Sequence, residues 1–220
     1  MFHNLNLANL LAAGLLLACG NSDSFGVDMS GAAAPAPTAT AAFPSSRAQV
    51  RFKGGQRLQN DLARALTLPP AEVCTELGTL QCVDQVHTVT LGGVDAYESQ
   101  ILRPAPDTGA TTPLAVERVV LSACSRRSRL DFADPARATL WTGLSLDADG
   151  NLDLPSGGVP TDTIVQLYQR ALGREPSESE ADSLVEFYAT VRGEQPQAAA
   201  EAWATLVCFA VFTSTESLFY

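Results

Sequence analysis

The chain has 220 residues, 46% of them hydrophobic, with 14 basic residues against 24 acidic ones and a net charge of −10. That balance argues against a nucleic-acid partner, which needs a basic face, and sets no substrate. The apolar fraction is enough for one domain with its own core once the polar start of the chain is set aside.

The first predicted element is the apolar run 10–18. It is too short for a bilayer, which takes roughly 20 apolar residues, and fits the core of an export signal. The residues before it hold no Lys or Arg, only the terminal amine and His3. The run closes in Leu16-Leu17-Ala18-Cys19-Gly20. Residues 20–46 are then dominated by Ala, Pro, Thr and Ser, as in Gly31-Ala-Ala-Ala-Pro35-Ala-Pro37. Such a segment has too little apolar surface to offset its ordering entropy, and its prolines make it an extended tether. The competing reading of the run is an apolar helix of a cytoplasmic domain that happens to end in cysteine. The segment Leu16–Cys19 resembles the lipobox of bacterial lipoproteins. That resemblance implies cleavage before Cys19 and a diacylglycerol on its thiol. It also implies attachment to a membrane through that lipid, with Gly20 favouring the outer membrane. The expected organisation is a signal peptide over 1–18, a lipidated cysteine with a disordered tether over 19–46, and a globular body over 47–220.

Within the body, Leu58, Leu62 and Leu66 recur at helical spacing over 56–66, and Pro69-Pro70 ends that helix. Pro70 can open a short helix through Val73 and Leu77, stopped by Gly78. The β-branched run 86–91 reads as a strand or extended segment, and 101–112 as a loop. Thr112-Pro113 opens a helix with Thr112 as its cap. Its apolar face is Leu114, Val116, Val119, Val120, Ala123 and Cys124, and its end is basic at Arg126, Arg127 and Arg129. Asp134-Pro135 repeats the cap-then-proline signal, with helix predicted over 136–144. Ile164, Leu167, Tyr168, Ala171 and Leu172 give the clearest helical stripe, over 160–172, stopped by Gly173. Ser177 and Glu180 form a capping box for a helix carrying Ala181, Leu184, Val185, Tyr188 and Val191 and ending at Gly193. Pro196 starts the last helix. Trp203, Leu206, Val207, Phe209, Ala210, Val211 and Phe212 surround it with apolar side chains and place it at the centre of the core. Thr205, Thr213, Ser214 and Glu216 argue against a membrane span there. The expected fold is mainly α, a single helical domain of about six helices with at most a minor β element.

The stretch Leu167-Tyr168-Gln169-Arg170-Ala171-Leu172-Gly173-Arg174-Glu175-Pro176-Ser177-Glu178-Ser179-Glu180 is followed by Trp203 and by Ser214-Thr215-Glu216-Ser217-Leu218-Phe219. Together they resemble the C-terminal helical region of large secreted bacterial proteins, best known from planctomycetes, that also carry cytochrome-c-like domains. The resemblance covers about the last quarter of the chain. It implies an exported helical domain and no cofactor, since no Cys-x-x-Cys-His occurs.

Five cysteines are present. With Cys19 taken by lipid, Cys74, Cys82, Cys124 and Cys208 form an even set, which an oxidising compartment favours pairing. Three connectivities are open. Cys74–Cys82 with Cys124–Cys208 is preferred, the first closing a short loop and the second bridging two apolar helical faces; the alternative is free buried thiols. The best cluster for a cation is Asp147, Asp149, Asn151 and Asp153 around Gly150 at the turn position of a calcium loop. It departs from that pattern with Ser145 at the first position and Ser156 at the twelfth, and the same residues also favour a plain turn. His87 is the one histidine outside the start of the chain. Zinc sites and Cys–His or Ser–His–Asp catalysis would need it, and a packed strand residue is the competing reading. Asp95, Glu98 and Asp107 fall in loops and receive no role. The three arginines are either an anion-binding patch or partners of the helix C-terminal dipole. The expected function is a membrane-anchored envelope lipoprotein, not an enzyme, whose helical domain binds or scaffolds an envelope protein. The alternatives are a calcium-dependent binding or stability module on the 147–153 loop and a hydrolase centred on His87.

Overall fold

Six α-helices make up most of the body: α1 (Gly55–Ala65), α2 (Thr112–Ala133), α3 (Thr161–Leu172), α4 (Glu178–Glu194), α5 (Ala199–Phe212) and α6 (Thr215–Leu218). A two-stranded antiparallel hairpin, β1 (Thr75–Glu76) and β2 (Leu80–Gln81), is the minor β element. This computed structural model describes residues 50–94, 109–153 and 161–220, which belong to one compact unit, Ala48–Tyr220. The signal, Cys19, the tether, Asp95, Glu98, Asp107, Ser156 and Pro160 lie outside the described residues. Among the described residues, no helix is long and apolar enough to cross a membrane.

The core forms where α5 packs on α2 and α4. Trp203, Ala204, Val207, Cys208, Val211 and Phe212 are buried on α5, against Val116, Val119, Val120, Ala123 and Cys124 of α2. The Trp203 ring meets Trp141 at 5.5 Å and Tyr188 at 6.0 Å, and its Nε1 donates to the Leu184 carbonyl at 2.8 Å. A fully buried indole so placed is worth about 3–5 kcal/mol against alanine. The α5 helix is not enclosed on every side, as its sequence suggested. Leu206 is 39% exposed and Ala210 lies open to solvent, so one broad face is buried and a narrow strip stays free.

All four cysteines of the body are paired. Cys124–Cys208 ties α2 to α5 with Cα atoms 5.7 Å apart, and Cys74–Cys82 closes the hairpin at 5.5 Å. Chain-entropy reasoning assigns about 4–5 kcal/mol to the first, which spans 84 residues, and about 2.5 kcal/mol to the second, which spans 8.

Five further sequence expectations are corrected. The helix expected through 70–77 is only a 3₁₀ turn, Pro70–Glu72; beyond it the chain reverses at Leu77 and Gly78, both at positive φ (51° and 78°), and the disulfide closes the hairpin behind them. The strand expected over 86–91 is absent. Cys82–Val86 is a single π-helical turn, and tight turns follow, with the His87 amide bonded to the Cys82 carbonyl at 2.7 Å and the Leu91 amide to the His87 carbonyl at 2.9 Å. Strand propensity needs a partner strand and a half-buried face, and here the closed loop offers neither.

The helix expected over 136–144 stops after one 3₁₀ turn, Pro135–Arg137. The reason is Asp131, which is 2% exposed. Its carboxylate accepts from the amides of Thr139, Leu140 and Trp141 at 2.9, 3.0 and 3.0 Å, and from Arg127 at 2.5 Å. Amides drawn to a side chain cannot close helical hydrogen bonds. Finally, α2 runs on to Ala133, so Arg126, Arg127 and Arg129 stand inside it and not at its end. Thr112 is its first helical residue and not its cap. The Thr112 hydroxyl accepts from the Gly109 amide at 2.8 Å and donates to the Thr90 carbonyl at 2.7 Å, fastening α2 to the turns after the hairpin.

The start and end of the described body are joined. Arg51 and Tyr220 exchange backbone hydrogen bonds at 3.1 Å, and Phe52 packs edge-on against Phe219 at 6.1 Å.

Candidate functional site

The 145–153 segment folds as a tight loop pinched by a bridge between Leu146 and Leu152. Asp147 Oδ1 accepts from the amides of both Asp149 and Asn151 at 2.9 Å. The Asn151 amide foremost, with that of Asp149, holds the Asp147 carboxyl below its ordinary range. The loop also caps α5. The Asp149 carbonyl accepts from Ala198 N at 2.8 Å and the Gly150 carbonyl from Ala200 N at 3.3 Å. Gly150 sits at φ 76°, which favours glycine, and a Cβ there would press on the Ala198 Cα at 3.2 Å. The Leu152 amide donates to the Tyr188 hydroxyl at 2.8 Å, fastening the loop to α4. The structure thus brings Asp147, Asp149, Asn151 and Asp153 into one turn whose visible work is to seat the first turn of α5. Among the described residues, no three side chains of His, Cys, Asp or Glu stand together as a metal-holding group.

His87 is placed as a brace. Its Nε2 lies 2.8 Å from Glu76 Oε1, and Arg118 of α2 approaches the same oxygen at 3.7 Å. The contact joins the hairpin to the turns that follow it and to α2. The three arginines do not act together. Arg126 pairs with Glu72, Arg127 is buried against Asp131, and Arg129 Nε donates to the Ser125 carbonyl of its own helix at 3.4 Å. Beside the start of α1, Lys53, Gly55, Arg57, Asp84, Thr88 and Gly92 border a cleft of about 310 Å³. Lys53 there pairs with Asp61 at 2.9 Å, and Gln56 with Asp84.

The densest polar constellation lies between α3, α4 and α6. Gly173, at φ 72°, ends α3 and delivers Arg174 into the connection. Ser177 caps α4 with a reciprocal box: its hydroxyl accepts from the Glu180 amide at 3.3 Å, and Glu180 Oε2 accepts from the Ser177 amide at 2.7 Å. Ser214 caps α6 in the same manner, accepting from the Ser217 amide at 3.2 Å, and Glu216 stands in that helix's first turn. Two helix N-termini, each carrying a favourable acid, are therefore turned toward one guanidinium.

Arg174 grips both acids. Its Nη1 and Nη2 donate to Glu180 at 2.9 and 2.8 Å, and its Nε and Nη2 donate to Glu216 at 2.9 and 2.8 Å. The Nη1 also donates to the Glu175 carbonyl at 3.0 Å. These contacts, first Arg174 and then Ser177, hold the Glu180 carboxyl down at about 2. Arg174 likewise lowers Glu216, and the two acids raise Arg174 in return, Glu180 first. The Arg174 guanidinium stacks 5.3 Å from the centre of the Tyr168 ring. Burial first, and then the Glu180 charge, push the Tyr168 phenol up and keep it protonated.

Behind these groups lies a pocket of about 160 Å³. Leu172, Leu184, Ala210 and Val211 form its apolar lining, and Tyr168, Arg174, Glu180, Ser214 and Glu216 are its polar residues. Tyr168 is only 7% exposed and lines the pocket beside Arg174. The sequence displayed these residues as caps and spacing. It did not display that Arg174 joins the cap of α4 to an acid of α6 that lies 42 positions from it in sequence. An unpaired arginine between a helix stop and a capping box was the available signal. Comparison of the chain with protein families, with curated proteins and with solved structures returned no match.

Proposed function

We propose that this chain is an exported lipoprotein, anchored through lipid on Cys19, whose helical body is a binding or scaffolding domain for another envelope component. The observation that carries the reading is the cysteine pairing. Of five cysteines, the four in the body are joined as Cys74–Cys82 and Cys124–Cys208, which leaves Cys19 as the odd one. Two structural disulfides suit an oxidising compartment outside the cytoplasm, and an odd cysteine that closes an apolar leader is where a lipid would be attached. The binding role, as opposed to catalysis, is supported by where the reactive side chains are engaged. His87 is braced by Glu76, and the Asp147 carboxylate caps its own loop. A net charge of −10 suits a partner that is itself basic.

The reading is tested by Cys19→Ser. Metabolic labelling with a fatty acid is expected to mark the parent chain and not the variant, and the variant is expected to leave the membrane fraction. A variant that is still labelled, or still sediments with membranes, overturns the anchor.

A further inference from the structure

The pocket beside Arg174 offers the chemistry to say what kind of group the body receives. Arg174 has no donor to spare: Nε, Nη1 and Nη2 are all taken up by Glu180, Glu216 and the Glu175 carbonyl. The pocket therefore cannot serve as an anion site through that guanidinium. Two carboxylates against one guanidinium leave the cluster one negative charge in excess. Glu216 carries that excess outward, because its side chain is 47% exposed and, among the described residues, its oxygens bond to Arg174 alone. Glu180, by contrast, is further occupied by the Ser177 amide and hydroxyl. Tyr168, 7% exposed, lines the same pocket, and Leu172, Leu184 and Val211 supply an apolar wall.

We propose that this pocket is a socket for a lysine side chain of the partner protein. Its alkyl stem would lie on Leu172, Leu184 and Val211, and its ammonium would donate to the Glu216 carboxylate and the Tyr168 oxygen. At about 160 Å³ the pocket has room for a slender, unbranched side chain. An ammonium on a carboxylate supplies a charge-assisted hydrogen bond, and the long-range negative charge of the chain steers a basic segment toward it. The inference rests on the reading of the body as a binding domain and names the partner's chemistry.

The test uses the full chain at low ionic strength and two probes, Nα-acetyl-lysine methylamide and its uncharged counterpart Nα-acetyl-norleucine methylamide, followed by NMR. The lysine probe is expected to shift the Tyr168 and Ala210 resonances saturably, and the norleucine probe to bind at least about tenfold more weakly, the loss of one charge-assisted bond. Ala210→Leu fills the pocket from the open strip of α5 and is expected to abolish the shifts with Tm unchanged. Should that variant fail to fold, Tyr168→Phe, which removes one oxygen, must still weaken the lysine probe several-fold. Absence of saturation, equal binding of both probes, or lysine binding unchanged in Tyr168→Phe overturns the socket. Any of these with Cys19 labelling intact leaves the anchored reading standing, and loss of labelling with the lysine response intact does the reverse.

Discussion

Asp131 and Arg174 each gather distant pieces of chain onto one charged group, in opposite surroundings. The Asp131 side chain is fully buried, and every partner it has is fixed: Arg127 one turn earlier and three successive amides at 139–141. Arg174 and its acids are 34–47% exposed and exchange bonds with solvent at hand. A charge taken out of water must be fully satisfied, and removing one side of such a set leaves the other stranded. A charge left at the surface is replaced by water when its partner goes. The contrast separates what holds the body together from what it can offer to another molecule. The buried hub decides the path of the chain after α2, whereas the exposed clasp, for all its hydrogen bonds, is the part free to take on a further partner.

The largest effect should come from the buried hub. Asp131→Ala strands Arg127 and three amides, and urea unfolding should show a loss of about 3–5 kcal/mol. A loss under about 1 kcal/mol would mean that 138–144 holds its path without the carboxylate. Arg174→Ala should cost clearly less, and that cost should shrink as salt is raised to about 1 M, where the Debye length falls to about 3 Å. An Arg174→Ala penalty equal to that of Asp131→Ala and indifferent to salt would erase the distinction between the two sites. The smallest effect is a pH dependence. Glu180 is held at about 2 in the folded state, against an ordinary 4.5. Its folded pKa is lowered, so its contribution is present above about 4.5 and is lost as pH falls toward 2. Thermal melts over that window should therefore drop more steeply for the parent than for Glu180→Gln. Parallel curves would show that the clasp does not titrate as described.

Several local elements are legible in the sequence. The stripe Ile164, Leu167, Tyr168 is buried on α3, and the Ser177–Glu180 box caps α4 as its spacing requires, because both depend on side chains within a turn or two of each other. Gly173 ends α3 for the same local reason. The 136–144 segment departs from the sound helix signal of Asp134-Pro135 because Asp131, buried on the preceding helix, draws off the amides a helix would have used. The 86–91 run departs from its strand signal because β-branched residues form a strand only where a neighbouring strand exists. The acidic turn 147–153 is legible as a turn around Gly150. That its carbonyls cap α5 depends on an approach at Ala198 that no spacing rule reports.

By itself, then, the sequence determined the helical class, the capping box of α4, the buried stripe of α3 and the arithmetic of an odd cysteine, all of which follow from composition and from interactions between near neighbours in the chain. Tertiary structure alone decided which cysteines pair, where α2 ends, and that Arg174 stands between the first turns of α4 and α6. Those outcomes depend on groups tens of residues apart meeting in one place. Only the packing of α5 against α2, α4 and the 145–153 loop sets that meeting.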